Sequence, residues 1–157
     1  MSFLLLSVLT LCAAKPTVSL ENVLLNYRVL ELALANDSLK EAAESSKKVW
    51  EAAQGVVKSN GVKGDNRRHL ERVVEKAKAL SSATEEKAVR SAFEGLSESV
   101  VAIVKADREL RKKWRLYFCP MYSGYNRWVQ LKEDGKLMNP YWGNKMQQCG
   151  AEVEWET

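Results

Sequence analysis

The sequence predicts a mainly α-helical fold, an antiparallel four-helix bundle followed by a compact irregular tail. Apolar residues recur at three- and four-residue steps from Pro16 to about Trp114, which is the spacing of one face of a helix. Only 3 Pro and 8 Gly occur in 157 residues, which leaves room for long helices. After Trp114 the helical pattern ends, and glycine, proline and aromatic residues cluster over residues 115–157. Together these features predict a bundle over 15–114 and a tail over 115–157 within one helical domain.

The first fourteen residues have the pattern of a secretory signal. Phe3 to Leu11 form an apolar run, and the small residues Ala13 and Ala14 then suit cleavage after Ala14. We therefore expect residues 1–14 to be a signal peptide and the mature chain, 15–157, to be exported, to the periplasm or otherwise out of the cytoplasm. The alternative is an apolar strand or helix start within the fold. Leu11 stands where a lipoprotein has a small residue, so Cys12 is a poor candidate for lipidation.

Four helices follow in order. The first begins near Leu20 and ends at Asn36-Asp37, and Ser38 with Glu41 forms the capping box of a second helix that runs to about Lys58. A loop over 59–65 precedes the third helix. A second capping box, Ser82 with Glu85, opens the fourth. The apolar faces of these helices, in turn, are Leu20, Val23, Leu24, Tyr27, Leu30 and Leu34; Leu39, Ala42, Val49, Trp50, Ala53, Val56 and Val57; Leu70, Val73, Val74, Ala77 and Leu80; and Val89, Ala92, Phe93, Leu96, Val100, Ile103 and Val104.

The tail has fewer signals of regular structure. Trp128 to Gln130, with the turn residues Glu133-Asp134-Gly135 after them, predict one short hairpin. The basic run from Arg108 to Arg115 fits a helix C-terminus, where the helix dipole favours cations.

Composition excludes several classes of function. A net charge of +4, spread evenly, does not indicate a nucleic-acid partner, and beyond the N-terminus no apolar run could span a membrane. His69 is the single histidine and has no acid at a suggestive spacing. The Gly61 to Gly64 segment lacks the Gly-Lys-Ser/Thr of a phosphate loop. We therefore expect a protein that is not an enzyme.

The tail contains every sulfur of the predicted mature chain. Pro120 favours an extended predecessor, so Cys119 and Met121 are predicted to share one strand face. Met146 and Cys149 are three apart, which suits one face of a helical turn. A turn at Asn139-Pro140 could bring the two pairs together. The candidate site residues are Cys119, Met121, Met146 and Cys149, with Met138 as a weaker candidate.

Such a set of thiolates and thioethers favours the soft ions Cu(I) or Ag(I). Zinc usually requires four Cys or His ligands, and only two cysteines are present here. The aromatic rings of Trp128, Tyr141 and Trp142 could shield a bound ion from water and oxidants.

The alternative is structural. Two cysteines in an exported protein commonly form a disulfide, and the loop of about thirty residues between Cys119 and Cys149 corresponds to roughly 3–4 kcal/mol of stabilisation. On that interpretation the chain is a structural or protein-interaction module of the cell envelope and binds no metal. Spacing alone leaves both interpretations open.

Two tail segments resemble a known family. They are Tyr117-Phe118-Cys119-Pro120-Met121 and the stretch 139–150, which reads Asn-Pro-Tyr-Trp-Gly-Asn-Lys-Met-Gln-Gln-Cys-Gly. They are similar to an uncharacterised bacterial periplasmic domain found alone or fused to CusB-like adaptors of heavy-metal efflux systems. The resemblance continues upstream in residues 27–30 and 33–37, and in Arg90, Phe93, Leu96 and Ser97.

The resemblance implies a helical periplasmic domain associated with copper or silver handling, with an efflux adaptor or another envelope protein as its partner. Two departures from the related heavy-metal motif are visible. Tyr122 stands where that motif has a histidine after Cys-Pro-Met, and the motif's Cys-Pro-x-Cys-Gly-Met run is absent. Both leave a donor set made of sulfur only, which favours Cu(I) or Ag(I) over zinc or Cu(II).

Overall fold

The four predicted helices are present in a computed structural model, which describes residues 18–155. The predicted signal peptide, residues 1–14, lies outside the described part of the chain. The helices are α1 (Leu20–Ala35), α2 (Leu39–Lys58), α3 (Gly64–Ser82), α4 (Glu86–Ala106) and the short α5 (Arg108–Lys113). Within residues 18–155 there is no helix with both the length and the apolar character needed to cross a bilayer.

Successive long helices pack against each other, α1 on α2, α2 on α3 and α3 on α4. The predicted apolar faces form the core, and most of their members are fully buried. Aromatic residues join the first helix to the last. The Tyr27 ring stacks on that of Phe93 at 5.8 Å between centroids, and the Tyr27 and Ser97 hydroxyls are hydrogen-bonded at 2.8 Å. The helical bundle predicted from periodicity is therefore confirmed.

Two predicted capping boxes are wrong in detail. Ser38 precedes α2 as expected, but its side chain caps no backbone N–H of the described chain. Ser82 is the last residue of α3, and its hydroxyl donates to the Lys78 carbonyl inside that helix. The residue preceding α4 is Glu85, in an extended conformation. Ser82 therefore ends one helix and Glu85 precedes the next, so the two residues do not form a capping box.

The tail is more regular than predicted. Strands β1 (Trp114–Phe118), β2 (Arg127–Leu131) and β3 (Ala151–Val153) form an antiparallel sheet in the order β2-β1-β3. Trp128 to Gln130 do lie in a strand, but the predicted hairpin with its turn at Glu133-Asp134-Gly135 is not formed. Strand β2 pairs instead with the preceding β1, Leu116 opposite Val129, and a 3-10 turn (Lys132–Asp134) follows β2. The basic run forms α5 and the start of β1, and Arg111, Lys112 and Lys113 lie in the last turn of α5 as expected.

The sheet and its loops are joined to the bundle at several points. Strand β2 packs on α4, and the Ser97 hydroxyl of α4 donates to the Arg127 carbonyl at 3.0 Å. The Gln147 side chain donates to the Ala35 carbonyl at the end of α1 at 2.9 Å. Arg90 of α4 reaches the Pro140 carbonyl at 2.5 Å. The tail is thus held in place by contacts from both the first and the last long helix.

Candidate metal centre

The two tail cysteines lie next to each other. Cys119 directly follows β1, Cys149 lies two residues before β3, and their Sγ atoms are 3.5 Å apart. The sheet explains this proximity, because β1 and β3 are antiparallel partners with Phe118 opposite Ala151. Both cysteines are free thiols, since a disulfide would hold the sulfurs at about 2.05 Å. The predicted disulfide is therefore not formed in this structure.

A turn fixes the first cysteine. The Cys119 N–H donates to the Asn126 carbonyl at 2.9 Å, and the Cys119 carbonyl accepts from Tyr122 N–H at 3.3 Å. Strand β1 ends at Phe118, so Cys119 and Met121 belong to a turn and do not share a strand face as predicted. Their environments differ accordingly, because Cys119 is fully buried whereas Met121 is 61% exposed. Pro120 introduces a turn here, where the prediction had an extended strand.

A second turn fixes the other cysteine. The Cys149 N–H donates to the Met146 carbonyl at 2.9 Å, which agrees with the predicted single turn between these residues. Gly150 follows with φ of +146°, and a Cβ there would lie 2.8 Å from the Phe118 carbonyl oxygen and 3.0 Å from the Trp128 ring. Glycine is needed at this position because only a residue without a side chain permits both this backbone conformation and this close approach. The half-buried Cys149 is thereby held against the end of β1.

Asn139 joins this second turn to the aromatic part of the tail. It is fully buried, and its amide donates to the Cys149 carbonyl at 2.6 Å. Its side-chain oxygen accepts from the N–H of Tyr141 at 2.8 Å and of Trp142 at 3.3 Å. The sequence singled out Asn139-Pro140 only as a turn, and the role of the asparagine in positioning Cys149 was missed.

The three candidate methionines differ in how far their side chains are exposed to solvent. Met138 is 8% exposed and its N–H donates to the buried Gln130 side chain, whereas Met146 is half-buried. Among the predicted ligands, the structure therefore brings the two cysteines into contact and keeps Met146 one turn from Cys149. Met121 projects largely into solvent.

The electrostatics of the thiol pair favour the protonated form. Burial raises the pKa of the Cys149 thiol, and its neighbour Cys119 raises it further through their hydrogen bond and the repulsion between two thiolates. Across residues 18–155 no group of three or more His, Cys, Asp or Glu could hold a common ion. The two candidate ligands that the structure brings into contact are both sulfur donors.

Aromatic rings flank one side of the pair. Trp128 is fully buried, stacks on Tyr117 at 5.6 Å between centroids and meets Tyr141 edge-on at 6.0 Å. The contact of its ring with Gly150 places it beside the cysteine turn. Trp142, predicted to share this role, instead lies edge-on to Tyr122 at 6.4 Å.

Comparison with known proteins identifies the helical part. Residues 23–112, from α1 to α5, match the family described as "Protein of unknown function (DUF3347)". Neither a curated protein nor a solved structure matches the chain. The match ends before Cys119, so the thiol pair lies outside the matched residues. Because the match covers more than half of the chain, the protein belongs to this helical domain family of unknown function.

Proposed function

We propose that the protein is a periplasmic domain that binds Cu(I) or Ag(I) through Cys119 and Cys149, as a carrier, sensor or accessory of a copper or heavy-metal efflux system. The observation that carries the proposal is the 3.5 Å separation of two free sulfurs. Two metal–sulfur bonds of about 2.3 Å each span up to roughly 4.6 Å, so one ion can contact both sulfurs. The sulfur-only composition of the site supports a soft, monovalent ion.

The methionines have subordinate roles in this proposal. Met146, whose carbonyl accepts a hydrogen bond from Cys149, is the first candidate for a thioether ligand, followed by Met138 and the exposed Met121. The two thiolates contribute most of the affinity because they carry the charge that balances the cation. Periplasmic location and an efflux adaptor as partner rest on the signal-like N-terminus and on the sequence resemblance.

The thiols also determine how binding depends on pH. Both ligands must lose a proton before they bind a metal, and the pKa of Cys149 is raised above its ordinary value. Metal affinity is therefore expected to fall as the pH is lowered, by up to about a hundredfold per pH unit while both thiols are protonated in the free protein.

The test is a competition titration. The reduced full chain carrying Cys12→Ser, which leaves only the two tail thiols, is titrated under anaerobic conditions against a coloured Cu(I) chelator. We expect uptake of one ion, lost in Cys119→Ser and in Cys149→Ser and weakened less in Met146→Leu. Ser123→Ala, an exposed change in the same tail, is the matched control. No uptake, or uptake unchanged in Cys149→Ser, would contradict the proposal.

A second candidate follows from the same distance. Two thiols 3.5 Å apart need only a small movement to form a disulfide, and the chain would then be a structural or interaction module of the envelope that binds no metal. The mass of the protein isolated from the periplasm, measured before and after mild reduction, separates the two candidates. A bond that resists strong reductant while the protein stays folded supports the structural role.

A further inference from the structure

A cavity of 340 Å³ opens between the start of α4 and the tail, at a place that the proposed metal site does not use. This volume is at the lower end of the range for small-molecule sites. Its lining combines aromatic rings and cations, chiefly Lys87, Arg90, Tyr122, Tyr141, Trp142 and Lys145.

Three aromatic rings, those of Tyr122, Tyr141 and Trp142, line the cavity. Tyr141 is 1% exposed and stacks on Tyr122 at 4.4 Å between centroids, with 29° between the ring planes. Trp142 stands at 83° to Tyr122, and both are half-buried. Since aromatic pairs favour offset stacking and edge-to-face contact, a flat ring bound against Tyr122 and Trp142 can stack on one ring and meet the edge of the other.

The indole of Trp142 has a hydrogen-bond donor without a partner. The Trp142 Nε1 atom is buried and donates to no acceptor within residues 18–155. Trp50 and Trp128 share this property, so an unsatisfied indole alone does not indicate a ligand. The Trp142 ring lines the cavity whereas its Nε1 atom has no exposed surface, so this N–H can report on binding through the ring but does not contact the ligand.

Two lysines are the cations that the lining leaves for a ligand. Glu86 is the one acid of the lining, and it pairs with Arg90 at 3.0 Å and more loosely with Lys145 at 3.9 Å. Arg90 is also paired with Asp37 at 2.5 Å and is therefore already neutralised. Lys87 is exposed and forms no ion pair within the described chain, and the Lys145 side chain is 71% exposed. Burial and Glu94 raise the pKa of Tyr122 to about 12, so its hydroxyl adds no negative charge at neutral pH.

We propose that this cavity binds a small planar anion, an aromatic ring bearing a carboxylate, either free or as the C-terminal residue of a peptide. The ring stacks in the corner between Tyr122 and Trp142, and the carboxylate is held by Lys87 and Lys145. No cysteine lines this cavity, and the proposal does not require a bound metal.

The test uses ligands that share a ring and differ in charge. The full chain, with its indole nitrogens labelled for NMR, is titrated with indole-3-acetate, with tryptamine and with acetate, and the Trp142 signal is assigned from Trp142→Phe. We expect indole-3-acetate to shift the Trp142 Nε1–H resonance and to bind at least about tenfold more tightly than either other probe. Lys87→Met with Lys145→Met is expected to remove this preference. Lys47→Met with Lys112→Met, two exposed lysines outside the cavity lining, is the matched control.

A short peptide ending in tryptophan, with a free carboxylate or a C-terminal amide, distinguishes the two sources of this chemistry. Binding of the free-acid peptide in preference to the amide assigns the site to a peptide C-terminus, and binding of indole-3-acetate alone assigns it to a free metabolite. Equal affinity for tryptamine and indole-3-acetate overturns the proposal. So does the absence of any shift at Trp142 up to the solubility limit of the probes.

Discussion

Glu31 provides a quantitative test of the structure, because it is a carboxyl group buried without a hydrogen-bond partner. It lies on α1, is fully buried, and neither of its oxygens accepts a hydrogen bond from the described chain. Burial raises its pKa well above the ordinary value, and the nearby negative charge of Asp134 raises it further, while Arg28 opposes both effects. Arg28 is itself bonded to Asp134, whose side chain is 5% exposed. We therefore expect Glu31 to be protonated in the folded protein at mildly acidic pH.

The sign of the pH dependence follows from this raised pKa. An unfolded glutamate ionises near pH 4.3, whereas folded Glu31 ionises only at higher pH, so between these values the folded state binds one more proton than the unfolded state. The contribution to stability is fully present below about pH 4.3. It falls by about 1.4 kcal/mol per pH unit as the pH rises towards the folded pKa.

Glu31→Gln should remove this dependence, because glutamine has nearly the same shape and does not titrate. Compared with the native chain, the variant is expected to gain about 1.4 kcal/mol of unfolding free energy for each pH unit above about 4.5, for as long as the pH stays below the raised pKa of folded Glu31. Any packing difference between Gln and Glu adds a constant that does not change with pH. The slope of the difference is therefore the diagnostic quantity.

Urea unfolding followed by circular dichroism, at several pH values from about 4.5 to about 7, measures that slope. Glu44→Gln, an exposed change on α2, is the control and should track the native chain at every pH. Parallel pH profiles for Glu31→Gln and the native chain would refute the reasoning, because they would mean that Glu31 titrates alike in the folded and unfolded states. The titratable groups that face Glu31 are Arg28 and Tyr27 on α1, Asp134 in the turn after β2, and Tyr117 on β1.

Two further predictions concern the junction between the bundle and the tail. Arg90→Lys should lower the unfolding free energy by about 2–4 kcal/mol, measured by urea titration. The reason is that one ammonium cannot replace the guanidinium bonds to Asp37, Glu86 and the Pro140 carbonyl. A loss below about 0.5 kcal/mol would contradict this geometry. Gly143→Ala should lower the melting temperature more than Gly64→Ala does. Both glycines have positive φ, but only at Gly143 would the new methyl group collide with Asp37, and equal losses would show that the collision is relieved.

The helices could be predicted from the sequence because a buried helix face repeats locally. Val23, Tyr27 and Leu30 recur within a few residues of each other, and all three are fully buried. The helix starts were less predictable, because a capping box is only a pair of residue types at a spacing. At Ser82 the same spacing fell on the last turn of α3, where the hydroxyl bonds its own helix.

The tail sheet could be predicted only in part. Strand β2 has the aromatic and β-branched character of a strand, with Trp128 and Val129 both buried. Strand β3 has three residues, two of them exposed, and so lacks the alternating pattern that would identify it. Its pairing with β1 depends on the bundle holding the rest of the tail in place, and no short window of sequence contains that information.

For the candidate site, the sequence points to residue types but does not contain their relative positions. Clustering of sulfur in the tail pointed to Cys119 and Cys149, and the structure brings these two into contact. Met121 was expected beside Cys119 on a strand, but the strand ends one residue before the cysteine and the methionine is exposed. Outside this site, the burial of Glu31 could have been predicted, because Glu31 falls four residues after Tyr27 on the inward face of an amphipathic helix.

The matched family region and the thiol pair are physically connected even though the match stops at residue 112. Arg90 of α4 bonds the Pro140 carbonyl, and the preceding residue, Asn139, bonds the Cys149 carbonyl. The position of Cys149 relative to Cys119 therefore depends on contacts that begin inside the helical bundle. The Arg90 guanidinium and the Asn139 amide are both buried, so water cannot readily replace the hydrogen-bond partner of either group. A change in the bundle that moves Arg90 is thus expected to alter the distance between the two sulfurs.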